Sequence, residues 1–284
     1  MIPKIIHQTG PSNKKVWHPL WIFCQSSWVK HFSGFKYMFW NDEDIDKLVK
    51  ESYPKFYQLY NEFPIHIMKI DFARFCILHK FGGIYADLDM FCYKNFYGDL
   101  QNGAHLIENP LGNDTFENSL MCSRPNEMFF LQCMEKSLER YYYVKEKHPK
   151  FLNDTRNINE NSFNNYQRPY LVFYITGTNL VSSVARESKE LLYSLPGCVY
   201  NNVDISYDPM FRTKHMHTGV WGKENICVIK DYAQNYKKMR NIDLINFDFY
   251  TDYSNGNYLK TNELDMDKNN INNDIEMKTN IMYS

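Results

Sequence analysis

Over the first ninety residues, the spacing of the apolar positions switches repeatedly between two patterns. Short apolar runs, in which neighbouring side chains take opposite faces, predict strands. Longer stretches with apolar residues three and four apart predict helices, and the second of these opens with the cap candidates Asn41 and Asp42. The predicted strands are IPKIIHQT (2–9), FKYMFW (35–40) and IYADLDM (84–90), and the predicted helices span 19–32, 41–53, 54–63 and 65–83.

The remainder of the chain repeats this mixture less regularly. We expect strands at 104–109, 118–123 and 170–177, a long helix at 126–147, and a second helix ending near Leu192. A polar, Asn-rich stretch at 153–169 predicts a loop or lid, and late strands and a loop are expected at 197–209 and 214–222. From about Thr251 the sequence is polar and low in complexity, which is typical of a tail or small terminal helix. We therefore divide the chain into a domain at 1–250 and a tail at 251–284.

Strands that alternate with helices predict an α/β domain with a mostly parallel central sheet flanked by helices. Ligands of such sheets bind beside the carboxyl ends of the strands. His7, Gln8, Asp87 and Asp89 all fall at ends of this kind.

The helix at 65–83 carries two charges on its apolar side. On a helical projection, Asp71 and Arg74 lie in the apolar sector, and their separation of three residues allows contact. One interpretation is a partly buried structural ion pair. The other is a cleft on this face in which a polar ligand helps to satisfy both groups, because an unpartnered buried charge is costly.

The stretch GGIYADLDM places two acids at the end of an apolar strand. In an extended strand Asp87 and Asp89 would point to the same side, with Leu88 turned into the core. Two adjacent carboxylates repel, unless a cation lies between them. Their hard oxygen atoms favour Mg²⁺ or Mn²⁺, with open positions for a diphosphate. Gly82 and Gly83 would permit a tight turn from helix to strand.

Composition excludes some classes of protein. The formal net charge of −1 argues against a nucleic-acid-binding protein. Seven scattered cysteines without a CxxC pair predict buried, reduced thiols rather than a disulfide framework or zinc site. The N-terminal segment is too polar for a signal peptide, and no apolar stretch approaches the ~20 residues of a bilayer span. We therefore expect a soluble, cytoplasmic protein without a membrane anchor. The frequent use of Asn, Lys, Ile and Tyr resembles the product of an AT-rich coding sequence, and one interpretation is a virus-encoded protein that acts in host cytoplasm.

The segments IPKIIHQT and IDFARFCILHKFGGIYADLDM resemble the DXD-containing glycosyltransferases of family 32, which include fungal initiating α-1,6-mannosyltransferases and bacterial capsular polysaccharide transferases. The close resemblance covers roughly the first third of the chain. Weaker likenesses occur at TGTNLV (176–181) and HMHTGVWG (215–222). The resemblance implies a GT-A-type nucleotide-diphospho-sugar transferase fold. It also implies metal-dependent transfer of a hexose, with retention of configuration, from a UDP- or GDP-sugar to a hydroxyl of a glycan, glycolipid or glycoprotein.

The same resemblance implies roles for individual residues. Asp89 would bind Mn²⁺ or Mg²⁺, Asp87 the ribose and the metal, Arg74 the diphosphate or the donor sugar, and Asp71 sugar hydroxyls. The remaining expected contacts are His7, Gln8 and Thr9 beside the base, His215 or His217 on the metal or phosphate, Gly177 and Thr178 beside the sugar, and Trp221 over the donor.

Three positions depart from the family pattern. Thr178 stands where the family has proline, Val220 where it has serine, and Gly10-Pro11 follow the first strand in place of tryptophan. Two alternative functions stay open from the residues alone. One is a non-catalytic carbohydrate-binding protein with a relict site, which the aromatic content of 17% would suit. The other is a metal-dependent phosphotransferase or hydrolase using the Asp-x-Asp pair. The oligomeric state is not predicted.

Overall fold

The structure is a computed structural model that describes residues 1–109, 115–153, 167–188, 192–201 and 210–216. Its centre is a six-stranded sheet, and a separate pair of short strands lies beside it. The strands in chain order are β1 (Ile5–Thr9), β2 (Lys36–Trp40), β3 (Gly83–Ala86), β4 (Met90–Cys92), β5 (Ala104–Glu108), β6 (Phe116–Ser123), β7 (Leu192–Leu195) and β8 (Thr213–His215).

The large sheet has the strand order β2-β1-β3-β6-β5-β7. Strand β1 is parallel to β2 and β3, and β5 is parallel to β7. Strand β6 is antiparallel to both of its neighbours, so it alone among these strands runs against the others. The mostly parallel sheet predicted from the sequence is confirmed.

Helices cover both faces of this sheet. One core cluster joins side chains of α2, α3, α4, α5, α7 and α8 to one face, and a second cluster joins α1 to the other. Strand β3 serves both clusters, since Tyr85 belongs to the first and Ile84 and Ala86 to the second, as the period of two requires. The helices are α1 (Pro19–His31), α2 (Asp42–Ser52), α3 (Pro54–Glu62), α4 (His66–Phe81), α5 (Met128–Lys147), α6 (Pro149–Asn153), α7 (Gln167–Ile175), α8 (Thr178–Glu187) and α9 (Gly197–Tyr200).

Two local signals in the sequence behave as predicted. Asn41 caps α2 by accepting a hydrogen bond from the Asp44 amide, and the Asp44 carboxylate accepts one from the Asn41 amide. At the end of α4, Gly82 and Gly83 have φ angles of 62° and 91°. A Cβ atom on Gly83 would lie 2.7 Å from the backbone oxygen of Ile5, so β3 enters the sheet where only glycine fits.

Two predicted strands are wrong, and one predicted helix ends earlier than expected. The segment predicted as a strand at 170–177 is largely the helix α7, in which Leu171, Val172 and Ile175 share one buried face. Its aromatic and β-branched residues favour strands, but packing against α5 and α8 decides the outcome. Residues 197–200 form α9 instead of a strand. The helix predicted to end near Leu192 is α8, which ends at Glu187, and Leu192–Leu195 form β7.

Several expectations fall outside the described residues. They include most of the expected loop at 153–169, the whole tail at 251–284, and Val220. Among the six cysteines that the structure describes, five are buried, as predicted, and Cys198 is exposed. No helix among the described residues has both the length and the apolar character that crossing a bilayer would need.

Candidate active site

Helix α4 presents its two inward charges to each other. The Nη2 atom of Arg74 lies 2.9 Å from Oδ1 of Asp71, and both residues are almost fully buried, at 3% and 4% exposure. Asp71 also accepts hydrogen bonds from the Nδ2 atom of Asn118 and the hydroxyl of Thr176, each at 3.1 Å. The predicted contact is therefore present, and protein groups provide the partners that two buried charges require.

Arg74 also reaches the acidic turn that follows β3. Its Nη2 atom lies 3.3 Å from Oδ1 of Asp87, while Nη1 donates to the carbonyl oxygen of Asn118 at 2.7 Å. The guanidinium lies over the ring of Tyr85, with its Cζ atom 5.0 Å from the ring centroid. The ion pair of α4 is thus continuous with the Asp-x-Asp stretch.

The predicted extended geometry of that stretch is wrong. Strand β3 ends at Ala86, and Asp87 to Asp89 form a tight turn closed by a hydrogen bond from the Met90 amide to the Asp87 carbonyl at 3.0 Å. Leu88 is buried as expected. The acids therefore come together through the turn and its neighbours rather than through the alternation of a strand.

A hydrogen-bonded chain from β1 and β3 fixes Asp87. The hydroxyl of Tyr85 donates to Oδ1 of Asp87 at 2.8 Å, and it lies 2.9 Å from the hydroxyl of Thr9. The side-chain amide of Gln8 donates to the Asp87 carbonyl at 3.1 Å, and the Asp87 amide donates to the carbonyl of Ser119. Because β1 and β3 are adjacent and parallel, their carboxyl ends meet at this edge.

Strand β8 brings a histidine to the other acid. It pairs antiparallel with β4 in the register Met90 to His215, and the Met216 amide donates to the Asp89 carbonyl at 2.8 Å. The Nε2 atom of His215 lies 3.1 Å from Oδ1 of Asp89. One ligand atom each from Asp87, Asp89 and His215 lie within 4.8 Å of one another.

Burial and mutual repulsion shift the protonation of this cluster. Burial raises the pKa of Asp71 to about 6, against the opposing effect of Arg74. Burial also raises the pKa of Asp87, again opposed by Arg74 and reinforced by Asp89. Burial alone would lower the pKa of His215, but Asp89, Asp87 and Glu117 together outweigh this effect, and the pKa rises to about 9. A cation beside the two acids is therefore stabilised, and the imidazolium of His215 supplies that charge here.

The donor set suits a divalent cation. Two carboxylates offer hard oxygen ligands and one imidazole offers nitrogen, a combination compatible with Mn²⁺ and, through the oxygens, with Mg²⁺. The partners of these donors lie in the protein: Tyr85 and Arg74 contact Asp87, and backbone pairing fixes the segment that carries His215. The residues present therefore fit such an ion.

Of the other residues predicted to bind the donor, some contact this cluster or its supporting residues and others do not. Gln8 and Thr9 contact the acidic turn or its support, whereas His7 is fully buried between the indole of Trp40 and the carbonyl of Gly82. Gly177 and Thr178 form the start of α8, next to the Thr176 that bonds Asp71. His217 and Trp221 lie outside the described residues. The ligand roles expected of all these residues stay predictions.

Sequence reasoning missed three members of the network, namely Tyr85, Asn118 and Thr176. Tyr85 stands two positions before Asp87, and Thr176 opens the segment TGTNLV, so both had a local signal. Asn118 had none, because its contact with Asp71 depends on how β6 lies against α4.

The sheet and this acidic edge together define an α/β protein with a candidate divalent-cation site at its strand ends. Residues 19–117 match the family model described as glycosyltransferase sugar-binding region containing DXD motif, which confirms the predicted resemblance.

Two curated relatives show the extent of the likeness. Inositol phosphoceramide mannosyltransferase 3 of Schizosaccharomyces pombe is 31% identical over 185 residues, which is 64% of this chain and 44% of the relative. Uncharacterized glycosyltransferase L373 of Acanthamoeba polyphaga mimivirus is 35% identical over 142 residues, which is 46% of this chain and 53% of the relative. The chain thus spans about half the length of these relatives or less.

A solved structure described as PaToxG Glycosyltransferase is similar to 90% of this chain, which matches 85% of that structure. The TM-score is 0.45 and the sequence identity is 11%.

Proposed function

We propose that the protein is a metal-dependent glycosyltransferase of GT-A type. It moves a hexose from a nucleotide diphosphate sugar to an acceptor hydroxyl, with retention of configuration. The observation that carries this proposal is the convergence of Asp87, Asp89 and His215 within 4.8 Å, beside a buried arginine. The match of residues 19–117 to a DXD-containing glycosyltransferase family supports it.

The chemistry requires stabilisation of a leaving nucleotide diphosphate. When bound, the divalent ion supplies positive charge where negative charge develops. Asp87, Asp89 and His215 would hold the ion. Arg74 adds a fixed positive charge, and its contacts with Asp71 and Asp87 keep it in place without reorganisation during the reaction.

Asp71 has limited capacity for a sugar. A carboxylate has about four acceptor positions, and Arg74, Asn118 and Thr176 take three of them. At most one is left for a sugar hydroxyl. We therefore assign Asp71 first to orienting Arg74 and second to a single contact with the donor sugar.

We assign the binding positions of the nucleotide base and the donor sugar from the sequence, and the sugar to test first from a relative. The strand end that carries Gln8 and Thr9 is the expected side for the nucleotide base, and the start of α8 at Gly177 and Thr178 is the expected side for the sugar. Mannose is the first sugar to test, because the S. pombe relative is named as an inositol phosphoceramide mannosyltransferase. The acceptor is a hydroxyl of a glycan, lipid or protein.

The testing experiment is a panel of UDP- and GDP-sugars incubated with the protein in Mn²⁺, in Mg²⁺ and in EDTA. We expect nucleotide release from one donor with either metal and none in EDTA, together with a metal-dependent rise in Tm on adding UDP or GDP. Sugar binding with no release from any donor would instead identify a non-catalytic binding protein. A stable beryllofluoride adduct on an aspartate of the Asp-x-Asp pair, which mimics an aspartyl-phosphate, would instead identify a phosphotransferase.

A further inference from the structure

Strand β8 has little support of its own for the histidine that it carries. It is three residues long and pairs with β4, itself three residues long. Isolated strand pairs of this size are marginal in water. Contacts outside the strand pair must therefore hold His215 within reach of Asp89.

One buried amide provides such a contact. Asn201 follows α9 directly and is 1% exposed. Its Oδ1 atom accepts a hydrogen bond from the backbone amide of His215 at 3.1 Å, and its Nδ2 atom donates to Oε2 of Glu117 at 2.7 Å. Its own backbone amide donates to the carbonyl of Gly197, which fixes the residue at the end of the helix.

Glu117 anchors this bridge in the central sheet. It lies on β6, where Oε2 also accepts a hydrogen bond from the hydroxyl of Ser119 at 3.2 Å. A continuous path therefore runs from the rigid sheet through Glu117 and Asn201 to the main chain of His215. Neither residue belongs to the group of three ligand atoms, which contains Asp87, Asp89 and His215.

We infer that Asn201 is a positioning residue for the candidate metal site: it transfers the rigidity of β6, through Glu117, to the strand that carries His215. This inference rests on the proposed function, since it requires His215 to be a metal ligand. Partners of this kind commonly change metal affinity by 10- to 100-fold when they are removed.

The experiment measures Mn²⁺ binding by isothermal titration calorimetry and by the EPR signal of free Mn²⁺, with no sugar donor present. Wild-type protein is compared with His215→Ala, Asn201→Ala and the pair Glu117→Ala and Glu117→Gln. Both Glu117 variants lose the charge, but only Ala removes the acceptor for Asn201. Tyr53→Phe is the control, since it removes one buried hydroxyl that donates to the Cys76 carbonyl, in the helical core that α2 and α4 form.

We expect the Kd for Mn²⁺ to rise about tenfold or more in Asn201→Ala and Glu117→Ala. In Glu117→Gln it should recover to within about threefold of wild type, and Tyr53→Phe should bind as wild type does. Such a recovery would show that the hydrogen bond matters, because a general loss of folding stability would affect both Glu117 variants.

Three results would overturn the inference, and one of them would overturn the metal dependence of the proposed function as well. If wild type binds Mn²⁺, His215→Ala does not, and Asn201→Ala binds as tightly as wild type, the positioning role fails while the metal site stands. If wild type binds no Mn²⁺, the positioning role and the metal dependence of the proposed function fail together. Should Asn201→Ala prove unfolded by circular dichroism, equal affinities in the two Glu117 variants would also overturn the inference.

Discussion

The Nε2 atom of His215 lies 3.1 Å from the Oδ1 atom of Asp89, although the two residues are far apart in the sequence. The antiparallel pairing of β4 and β8 creates this contact. The contact adds the His215 imidazole to the carboxylates of Asp87 and Asp89, so that the three side chains can share one cation.

Replacement of Asp89 by Asn should lower metal-dependent nucleotide release at least about 100-fold. The substitution keeps the size of the side chain and removes the charge that would hold the cation and orient His215. Initial rates in Mn²⁺ provide the measurement. Asp46→Asn is the matched control, because Asp46 accepts hydrogen bonds from the hydroxyl of Tyr57 outside the site. Equal rates for Asp89→Asn and wild type would contradict the proposal.

Replacement of Arg74 by Met should destabilise the fold by about 3 to 5 kcal/mol, since it leaves the buried carboxylate of Asp71 without its cation. Urea denaturation measures the change. The double variant Asp71→Leu with Arg74→Met should recover part of the loss, because it removes the uncompensated charge as well. A single variant as stable as wild type would contradict the stabilising role of the ion pair.

Replacement of Thr176 by Val should cost about 1 to 2 kcal/mol. The two side chains have nearly the same shape, but Val cannot donate the hydrogen bond of 3.1 Å that Asp71 accepts. Thr176→Ser keeps the hydroxyl and serves as the control. The hydrogen bond would be unimportant if the Val and Ser variants unfolded at the same urea concentration.

Replacement of Gly83 by Ala should destabilise the protein by about 2 kcal/mol or more. Its φ angle of 91° is strained for any residue with a Cβ atom, and that atom would lie 2.7 Å from the Ile5 carbonyl oxygen. Gly98→Ala is the matched control, because nothing lies within 4 Å of a Cβ atom there. Thermal unfolding of both variants gives the comparison, and equal Tm values would contradict the steric argument.

Protonation of His7 should cost stability as the pH drops below about 6.5. Burial lowers the pKa of His7 to about 4, although the hydrogen bond from Nε2 to the Gly82 carbonyl opposes this shift, and Nδ1 must stay unprotonated to accept from Trp40. The unfolded chain therefore takes up this proton first, and His7 contributes a loss of about 3 kcal/mol between pH 6.5 and pH 4. Asp71 acts in the opposite sense, because burial raises its pKa to about 6.

His105 adds an effect of the same sign, because burial also lowers its pKa to about 4. Urea unfolding at a series of pH values measures the slope, and NMR of the His7 ring identifies its source. A His7 resonance that titrates near pH 6.5 in the folded protein would contradict this account.

Local sequence signals predicted the first half of the fold well. The cap at Asn41, the glycines after α4 and the apolar periods of β1, β2 and α4 all depend on neighbours within a few positions. The same signals failed at α7, where strand-favouring residues form a helix. There the partner surface, formed by α5 and α8, decides which residues are buried, and no local pattern contains that surface.

Spacing along one element is enough to predict that Asp71 and Arg74 share a helix face and that two acids end a buried segment. Three further contacts become visible only in the folded chain: Arg74 joins these two features, Asn118 and Thr176 donate hydrogen bonds to Asp71, and His215 contacts Asp89. Contacts between distant segments depend on strand order, register and packing. These are set by the burial of the whole chain, and no single stretch of it specifies them.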